Sequence, residues 1–280
     1  MTVLTPTGLD EALRALADDP TTTVLAGGTD LMVAVNAGRH RADRVLSLRR
    51  VAELRGWRRE GDELVVGAGT TYSALLDDEL ARLAPGLAQA ARTVGSPQIR
   101  NAGTVGGNLG TASPAGDTLP VLAALDARVE VASTGGRRTI PLDHFLTGPK
   151  ATALAPGELV VAVRVPVASG PQEYLKIGVR NAMVIAVASC ALVVDRTRRR
   201  VACALGSVGP VPIRDRRTEA WLSSQVDWRT ARVRNATVAE RFGMHMASAA
   251  QAIDDHRAPA GYRRHAVSVL ARRAVERALG

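Results

Sequence analysis

The chain has 280 residues, of which 46% are hydrophobic and only 3% aromatic, and it carries a formal net charge of +9. A chain of this length can form two domains with their own cores, and the scarcity of aromatic residues leaves Ala, Val and Leu to build them. The longest apolar run, Met183 to Val194, is too short for a transmembrane helix of about 20 residues, so we interpret it as a buried strand.

The charge and the N-terminal segment bear on what the chain binds and where it acts. Arginine supplies 34 of the 36 basic residues and is concentrated at 196–200 and 263–277. Few aromatic residues lie among these arginines, so stacking of nucleic-acid bases is not favoured. We interpret the clusters as a hairpin turn and a solvated helix face; an arginine-rich surface could also attract an acidic partner or an anionic cofactor. The first six residues lack a basic region and a signal-peptide core, which predicts a cytoplasmic location.

The first part of the chain is predicted to form a βαβ-like unit. Leu9 to Leu16 carries apolar residues at helical spacing, and a strand over 22–26 precedes a glycine-rich turn. A helix over 31–36 and a strand around 44–48 complete the unit.

The pattern continues to residue 166 and changes after 168–171, which we interpret as a linker. The elements predicted before it are a strand over 64–68, helices over 72–76, 87–94 and 119–125, and strands over 128–132, 137–140 and 159–165, with a hairpin turn at Gly135-Gly136. Those after it are strands over 173–179, 183–194 and 201–208 and helices near 218–223, 228–252 and 262–279. Strands followed by helices indicate an α+β C-terminal domain. The last helix has one apolar stripe, made of Val267, Leu270, Ala271, Ala274, Val275 and Ala278.

Neither the cysteines nor the histidines predict a metal site. Cys190 and Cys203 lie in apolar, strand-like segments, and two thiols do not complete an iron–sulfur cluster or a structural zinc site. We therefore interpret both as buried thiols. The histidines show no metal-ligand spacing and are interpreted as surface or capping residues: His40, His144, His245, His256 and His265.

The first glycine-rich turn is Leu25-Ala26-Gly27-Gly28-Thr29-Asp30-Leu31. A hydrophobic strand ends before its two glycines, which let the backbone bend through positive φ, and Thr29 or Asp30 caps the following helix. Free N–H groups at such a turn attract phosphate. The carboxylate of Asp30 repels phosphate unless it turns back to its own helix, so a tight turn without a ligand is the alternative.

The second glycine-rich turn runs from Gly103 to Pro114 and has the order G-x-x-G-G-x-x-G. This order matches neither the G-x-G-x-x-G dinucleotide pattern nor a P-loop. Hydroxyl and amide groups lie around its glycines, on Thr104, Asn108, Thr111 and Ser113. Asp117 stands just before a helix and can accept hydrogen bonds from sugar hydroxyls. The pattern predicts a long polar ligand in contact with free N–H groups of both turns, with a structural Ω-loop as the alternative.

Several motifs, in this order along the chain, resemble one known family. They are Ala26-Gly27-Gly28-Thr29-Asp30-Leu31, Pro97-Gln98-Ile99-Arg100-Asn101, Thr104-Val105-Gly106-Gly107-Asn108 through Ser113-Pro114-Ala115-Gly116-Asp117, Gly157-Glu158-Leu159-Val160, Tyr174-Leu175-Lys176-Ile177-Gly178-Val179-Arg180, Ile253-Asp254-Asp255-His256-Arg257 and Tyr262-Arg263-Arg264-His265. They resemble the FAD-binding medium subunit of the molybdenum hydroxylases, the xanthine dehydrogenase and carbon monoxide dehydrogenase family. The resemblance covers nearly the whole chain.

The resemblance implies an α+β protein with FAD as its cofactor. Residues 1–168 would form an FAD-binding PCMH-type (vanillyl-alcohol-oxidase-like) domain of two α/β subdomains, about 1–55 and 56–168. Residues 172–280 would form a smaller C-terminal α/β domain of the CO dehydrogenase flavoprotein type.

The resemblance also implies site residues. The FAD diphosphate would be held by Leu25, Ala26, Gly27, Gly28, Thr29, Asp30, Leu31, Thr104, Gly106, Gly107 and Asn108. Thr111 and Asp117 would lie along the ribityl and ribose region, and Val160 and Lys176 match positions near the isoalloxazine. Lys176 is one of only two lysines in the chain, and a cation near the flavin would raise its reduction potential. The resemblance requires no general base, nucleophile or metal on this chain.

The implied function is electron transfer within a hetero-oligomer. FAD would take electrons from [2Fe–2S] centres on a small iron–sulfur subunit, beside a large molybdopterin-binding subunit, and pass them to a terminal acceptor. Residues 93–95 supply no aromatic ring and Gly110 no side chain to cover the flavin, so NAD⁺, oxygen and other acceptors stay open. The alternatives are a stand-alone FAD-dependent oxidase or reductase on the same scaffold and a non-catalytic protein that has lost the flavin, against which the intact glycine turns argue.

Overall fold

A computed structural model describes residues 2–280, and Met1 lies outside the described residues. The chain begins with β1 (Thr2–Leu4), α1 (Leu9–Asp18), β2 (Thr23–Leu25), α2 (Leu31–Asn36), β3 (Arg44–Ser47), β4 (Trp57–Glu60), β5 (Glu63–Gly67), α3 (Asp78–Leu83), α4 (Pro85–Thr93), α5 (Pro97–Ala102), α6 (Val105–Thr111) and α7 (Thr118–Ala124). It continues with β6 (Arg128–Ser133), β7 (Gly136–Pro141), α8 (Leu142–Phe145), β8 (Leu146–Gly148), β9 (Ala151–Thr152), β10 (Leu159–Pro166), β11 (Gln172–Ile177), β12 (Ala188–Asp195), β13 (Arg200–Gly206), α9 (Arg216–Ser224), β14 (Val226–Asp227), β15 (Arg232–Val233), α10 (Thr237–Ala249) and α11 (Ala260–Leu279).

The chain forms two compact units, each assembled from three separate segments. Unit 1 comprises the N-terminal segment up to Ala74, Pro97–Ala112 and Ala127–Pro166. Unit 2 comprises Leu75–Ser96, Ser113–Asp126 and Val167–Gly280. No helix among residues 2–280 has both the length and the apolar character needed to cross a membrane.

Unit 1 contains a parallel three-stranded sheet and an antiparallel five-stranded sheet. The parallel sheet has the order β1-β3-β2, and the antiparallel sheet has the order β4-β5-β10-β6-β7. β2, α2 and β3 form the predicted βαβ-like unit, with β2 and β3 paired in parallel. α1 buries one stripe of apolar residues at helical spacing, namely Leu9, Ala12, Leu13 and Leu16, against a core that includes Leu46, Leu54 and Val161.

Unit 2 is built on an antiparallel sheet of order β11-β12-β13, which the C-terminal helices cover. β12 is buried along its whole length, which is typical of a strand covered on both faces. α11 packs against this sheet, α10 packs against α11, and Phe242 and Val267 are fully buried in the core of unit 2. The strands of this part precede its last helices, as the sequence predicted.

The structure corrects two element boundaries in unit 2. The strand predicted from Met183 begins only at Ala188, because Met183 adopts φ +49° and the guanidinium of Arg180 bonds the carbonyls of Ala182 and Met183. This closes an exposed turn. The helix predicted from residue 228 begins at Thr237, since a short hairpin of β14 and β15 occupies residues 226–233.

The structure also corrects the interpretation of one arginine. Residues 196–199 form the predicted hairpin turn between β12 and β13. Arg263, however, does not belong to a solvated helix face: its side chain is only 2% exposed. Its guanidinium donates to the carbonyls of Val187 and Ser207 and to the Asp255 carboxylate. With the carbonyl of Ala258, the guanidinium has four acceptors. These bonds offset the free-energy cost of burying its charge.

The cysteines and histidines lie where the sequence predicted. Cys190 and Cys203 are free, fully buried thiols on β12 and β13, with Sγ atoms 3.5 Å apart. The hydrogen bond with the Cys190 thiol, together with burial, raises the pKa of Cys203 well above its usual value, so this thiol is unreactive. All five histidines are exposed.

Candidate functional site

The first glycine-rich segment joins β2 to α2 in unit 1. Gly28 adopts φ +73°, a left-handed conformation that favours glycine. Asp30 is the N-cap residue of α2, but its side chain makes no capping hydrogen bond, so the predicted cap is wrong. Among residues 2–280, no acceptor bonds to the N–H groups of Gly28, Thr29 and Asp30. These three donors remain available for an anion.

The second glycine-rich segment is a helix in the structure, α6, rather than an Ω-loop. Thr104 caps it, because its Oγ1 accepts the N–H of Gly107 at 3.0 Å. The N–H of Gly106 donates to the carbonyl of Ala68 at 2.7 Å. The N–H groups of Gly106 and Gly107 therefore already have protein acceptors, contrary to the prediction that this segment offers free N–H groups.

Unit 1 brings the two glycine-rich segments together. A Cβ on Gly27 would overlap the carbonyl of Ala102 and would lie 2.8 Å from the Cα of Gly103. The side chain of Ala26 lies 3.8 Å from the position of a Cβ on Gly107. Only glycine at position 27 lets the two backbones approach this closely. Residues separated by about 75 positions in the sequence thus share one surface of unit 1.

The glycines of the second segment have two different roles. At Gly103 a Cβ would lie 2.8 Å from the ring of Tyr72, and at Gly106 it would lie 2.5 Å from the Cβ of Ala68. These two glycines are required by the packing of the protein itself. At Gly110, by contrast, no protein atom lies within 4 Å of a Cβ. The exposed face of α6 at Gly110 thus leaves space that protein packing does not require.

The other predicted site residues of unit 1 lie on α6 and β10. Thr111 is the last residue of α6 and is half-buried, and Asn108 lies one turn before it. Val160 is only 6% exposed on β10, next to a shift in the register between β10 and β6. Because Val160 is buried, its contribution to a ligand surface is limited to a small patch.

Asp117 and Lys176, which the sequence placed in one site, form a buried ion pair in unit 2. Lys176 Nζ lies 2.8 Å from Asp117 Oδ2, and the two side chains are only 7% and 9% exposed. Asp117 is the N-cap residue of α7 but makes no capping bond. Its second oxygen, Oδ1, accepts the hydroxyl of Tyr174 at 2.8 Å. Lys176 Nζ also donates to the carbonyl of Thr93, the last residue of α4, at 3.1 Å.

Burial controls the protonation of this cluster. It raises the pKa of Asp117 above the ordinary value, although the ammonium of Lys176 and the hydroxyl of Tyr174 act in the opposite direction. Burial also raises the pKa of Tyr174 well above its usual value, and the Asp117 carboxylate adds to this effect. Tyr174 is therefore a neutral hydrogen-bond donor. The positive charge of Lys176 has a counter-ion, which the sequence did not reveal.

Tyr174 is the residue whose role the sequence analysis missed. The motif resemblance includes Tyr174 but gives it no role. The sequence feature that indicates one is the alternation of polar and apolar residues along β11. Gln172, Tyr174 and Lys176 lie on one face of the strand and bond to α4 or Asp117. Leu175 and Ile177 lie on the other face and pack against the core of unit 2. A polar or aromatic residue at every second position of a strand indicates a face that is not simply core.

The chain matches two family models along almost its whole length. The model of the FAD binding domain in molybdopterin dehydrogenase matches residues 1–168. The model of the CO dehydrogenase flavoprotein C-terminal domain matches residues 173–278.

Relatives and solved structures agree with these matches. The chain is 31% identical to the glyceraldehyde dehydrogenase medium chain of Sulfolobus acidocaldarius over 270 residues, which cover 95% of this chain and 94% of the relative. It is 33% identical to the xanthine dehydrogenase FAD-binding subunit of Escherichia coli O157:H7 over 221 residues, 75% of each chain. A solved structure of the carbon monoxide dehydrogenase of Hydrogenophaga pseudoflava matches with a TM-score of 0.89 at 28% identity, covering 99% of this chain and 96% of that chain.

The fold and these matches define a flavoprotein, an oxidoreductase subunit whose cofactor is FAD. More particularly, the chain belongs to the family of FAD-binding subunits of molybdopterin dehydrogenases, which contains the xanthine dehydrogenase FAD-binding subunit and the CO dehydrogenase medium chain. The family resemblance, the fold class and the cofactor predicted from the sequence are confirmed.

Proposed function

We propose that this chain is the electron-transfer subunit of a molybdenum hydroxylase. FAD, when bound, accepts electrons singly or in pairs, so it links one-electron donors to a terminal acceptor. In this proposal the electrons come from [2Fe–2S] centres on a partner subunit. The observation that carries it is the meeting of the two glycine-rich segments in unit 1, beside three N–H donors without a protein acceptor.

The donors of unit 1 fit the diphosphate of FAD. The N–H groups of Gly28, Thr29 and Asp30 suit phosphate oxygens, and the space at Gly110 suits a ligand that lies along α6. We propose that the diphosphate is held by residues 25–31 with Thr104, Gly106, Gly107 and Asn108. The N–H groups of Gly106 and Gly107 are already bonded, so their contribution is close approach rather than donation. Asp30 acts through its N–H.

The remaining site residues are proposed from the family resemblance. Thr111 and Asp117 would contact the ribityl and ribose region, and Val160 and Lys176 the isoalloxazine. No residue of this chain is assigned a step of bond making or breaking, since its role is to bind and orient the flavin. The division into an FAD-binding domain over 1–168 and a C-terminal domain over 172–280 belongs to the same proposal, and the cytoplasmic location stays a prediction.

The partners are proposed on the chemistry of iron–sulfur clusters. Such clusters are usually held by several thiolates, whereas this chain has two cysteines, and both are buried in the core of unit 2. A small iron–sulfur subunit and a large molybdopterin-binding subunit would supply what this chain does not carry. A solved structure at 27% identity is described as a Cu,Mo-CO dehydrogenase, and that of Hydrogenophaga pseudoflava as lacking the Mo-pyranopterin moiety of its molybdenum cofactor; both support a molybdenum-containing partner.

The proposal is tested first on the chain itself and then on the complex. The purified full-length chain is expected to show flavin absorbance and to release FAD on denaturation. Rapid mixing with a reduced iron–sulfur partner subunit is expected to reduce the flavin. A flavin that stays oxidised with the partner, but is reduced directly by a small substrate, would instead make the chain a stand-alone oxidase or reductase.

Gly110→Val tests the site in unit 1 without disturbing its packing. A valine side chain there meets no protein atom near its Cβ, so we expect a folded protein with wild-type helical circular dichroism. It fills the proposed ligand space, so we expect at least a tenfold loss in FAD affinity, equivalent to about 1.4 kcal/mol. Gly261→Val is the matched control, because Gly261, near the start of α11, also has no protein atom within 4 Å of its Cβ. Full FAD content in Gly110→Val would refute the proposed position of the ligand.

A further inference from the structure

We propose that Tyr174 is a positioning residue of the flavin site: its hydroxyl fixes the Asp117 carboxylate, so that Asp117 and Lys176 stay paired and charged during turnover. This inference rests on the proposed function, since it takes Asp117 and Lys176 as flavin-contacting residues. It goes beyond that function, because it gives a role to a residue that is not among the proposed cofactor contacts.

The geometry of the carboxylate supports this role. Each oxygen of Asp117 has one donor, Tyr174 on Oδ1 and Lys176 on Oδ2, both at 2.8 Å. Two donors on different oxygens fix the rotation of the carboxylate as well as its position. With one donor removed, the carboxylate could turn about its remaining bond.

The position of the Tyr174 ring is itself held by the backbone. The N–H of Tyr174 donates to Gln89 Oε1 at 2.7 Å, and Gln89 Nε2 donates to the carbonyl of Gln172 at 3.2 Å. β11 is thereby attached to α4 on the side from which Tyr174 extends. The hydroxyl groups of Ser189 and Thr93 also lie within hydrogen-bonding reach of the Tyr174 oxygen. Tyr174 is therefore a rigid donor rather than a flexible one.

The cluster of Asp117, Tyr174 and Lys176 offers a ligand a hydrogen-bond donor rather than a net charge. Lys176 and Asp117 together are neutral, and two of the three N–H bonds of Lys176 have acceptors, Asp117 and the Thr93 carbonyl. The charged and titratable groups that face Asp117 are Lys176 and Tyr174, both from β11. α4 contributes the Thr93 carbonyl, and β12 contributes the Ser189 hydroxyl, which lies within reach of the Tyr174 oxygen. If Asp117 takes up a proton, the cluster becomes a cation.

This predicts a specific effect on the flavin reduction potential. Reduction adds negative charge at the flavin, which favours protonation of a nearby carboxyl, and the donors of Asp117 oppose this by stabilising its ionised form. The plot of potential against pH therefore bends where Asp117 titrates. A hydrogen bond to a charged group contributes enough free energy that losing the Tyr174 donor moves this bend to higher pH by about one to two units.

The test is spectroelectrochemical titration of the FAD-loaded full chain over the whole pH range in which it stays folded. Tyr174→Phe is expected to move the bend to higher pH, while Tyr262→Phe, the control on an exposed tyrosine of α11, leaves it unchanged. Asp117→Asn is expected to abolish the bend, and adding Tyr174→Phe to it is expected to change nothing further. A Tyr174→Phe protein with a lower melting temperature but an unmoved bend would show a purely structural role and overturn the inference.

A second measurement strengthens the Tyr174 donor instead of removing it. The chain has only three tyrosines, so fluorotyrosine can replace all of them, and its more acidic hydroxyl strengthens the donor at position 174. The bend is then expected to move to lower pH in the wild-type chain and to stay unmoved by labelling in Tyr174→Phe. A bend that labelling does not move in the wild-type chain would also overturn the inference.

Failure of the inference is distinguishable from failure of the proposed function. If Asp117→Asn and Lys176→Met both leave FAD affinity and potential at wild-type values, the proposed flavin contacts are wrong. If those two variants change the potential while Tyr174→Phe does not, the contacts stand and the positioning role of Tyr174 is refuted.

Discussion

Asp255→Asn tests how much the stability of the folded chain depends on the ion pair between the buried guanidinium of Arg263 and the Asp255 carboxylate. Arg263 is the largest fully buried side chain of the chain's described residues, and Asp255 Oδ1 accepts its Nη2 at 2.6 Å. The same carboxylate accepts the backbone N–H of Arg257 at 2.8 Å and pairs with its guanidinium. Asparagine keeps the shape and one oxygen acceptor but removes the negative charge.

The expected loss follows from the burial of Arg263. Breaking a buried ion pair on one side costs about 3–5 kcal/mol, because the remaining charge is left without compensation. Asp255 is 18% exposed and Arg263 only 2%, and the asparagine oxygen can still accept one bond, so we expect the lower end, about 3 kcal/mol. At about 2–4 °C per kcal/mol for a protein of this size, the melting temperature should fall by about 6–12 °C.

The effect should depend on pH with a definite sign. Burial acts to raise the pKa of Asp255, but the N–H of Arg257 and the guanidinium groups of Arg257 and Arg263 outweigh it and hold this pKa well below its usual range. A carboxyl with a lowered pKa in the folded state stabilises the protein above its unfolded-state pKa of about 3.9 and loses this contribution as the pH falls. The difference between wild type and Asp255→Asn should therefore shrink below about pH 4.

Urea unfolding at pH 7 and pH 3, followed by circular dichroism, measures both effects. Glu276→Gln is the control, because its pair with Arg272 on α11 spans 3.6 Å with both side chains about half exposed, and such surface pairs contribute less than about 1 kcal/mol. Equal losses in the two variants, or a loss in Asp255→Asn that does not change with pH, would refute the reasoning.

Two further variants test the glycine contact and the ion pair. Gly27→Ala places a Cβ against the carbonyl of Ala102, so we expect a loss of stability of about 1–3 kcal/mol from overpacking together with weaker FAD binding; unchanged thermal melting would contradict the close approach. Lys176→Met is expected to lower the flavin reduction potential, because it removes the cation and leaves the buried Asp117 carboxylate unpaired; redox titration checks this, and a potential equal to wild type would contradict the role of Lys176.

The sequence predicted those parts of the fold that local pattern determines. The helix over 31–36 has the predicted bounds, and four strands of the five-stranded sheet (β5, β6, β7 and β10) agree within about two residues, because apolar periodicity marks them. The fifth strand, β4 over Trp57–Glu60, was not predicted. The strand predicted to begin at Met183 begins later, and the reason is that an apolar run without polar alternation does not reveal a left-handed turn within it. The turn predicted from Gly103 onwards is wrong as well, because its four glycines predict a loop, whereas tertiary contacts stabilise a helix there.

The residues of the candidate site come from motif resemblance, whereas their contacts come only from the structure. Motif resemblance found Asp117 and Lys176 without indicating that they pair with each other. It found the two glycine-rich segments, but only the structure separates Gly103 and Gly106, which protein packing requires, from Gly110, which it does not. The burial of Arg263 was invisible for the same reason, because its acceptors are mostly carbonyl groups, which every residue carries.

The interleaved segments of unit 2 limit how this chain can be divided or recombined. α3, α4 and α7 belong to unit 2 although they precede the C-terminal segment by many residues. A fragment that begins at Val167 would lack these helices and would leave the Gln172 and Tyr174 face of β11 uncovered. The C-terminal segment, Val167–Gly280, is therefore not a transferable module, and exchange between relatives would have to carry α4 and α7 with it. Crossing points in chimeric enzymes should be chosen by these helices rather than by the linker at 168–171.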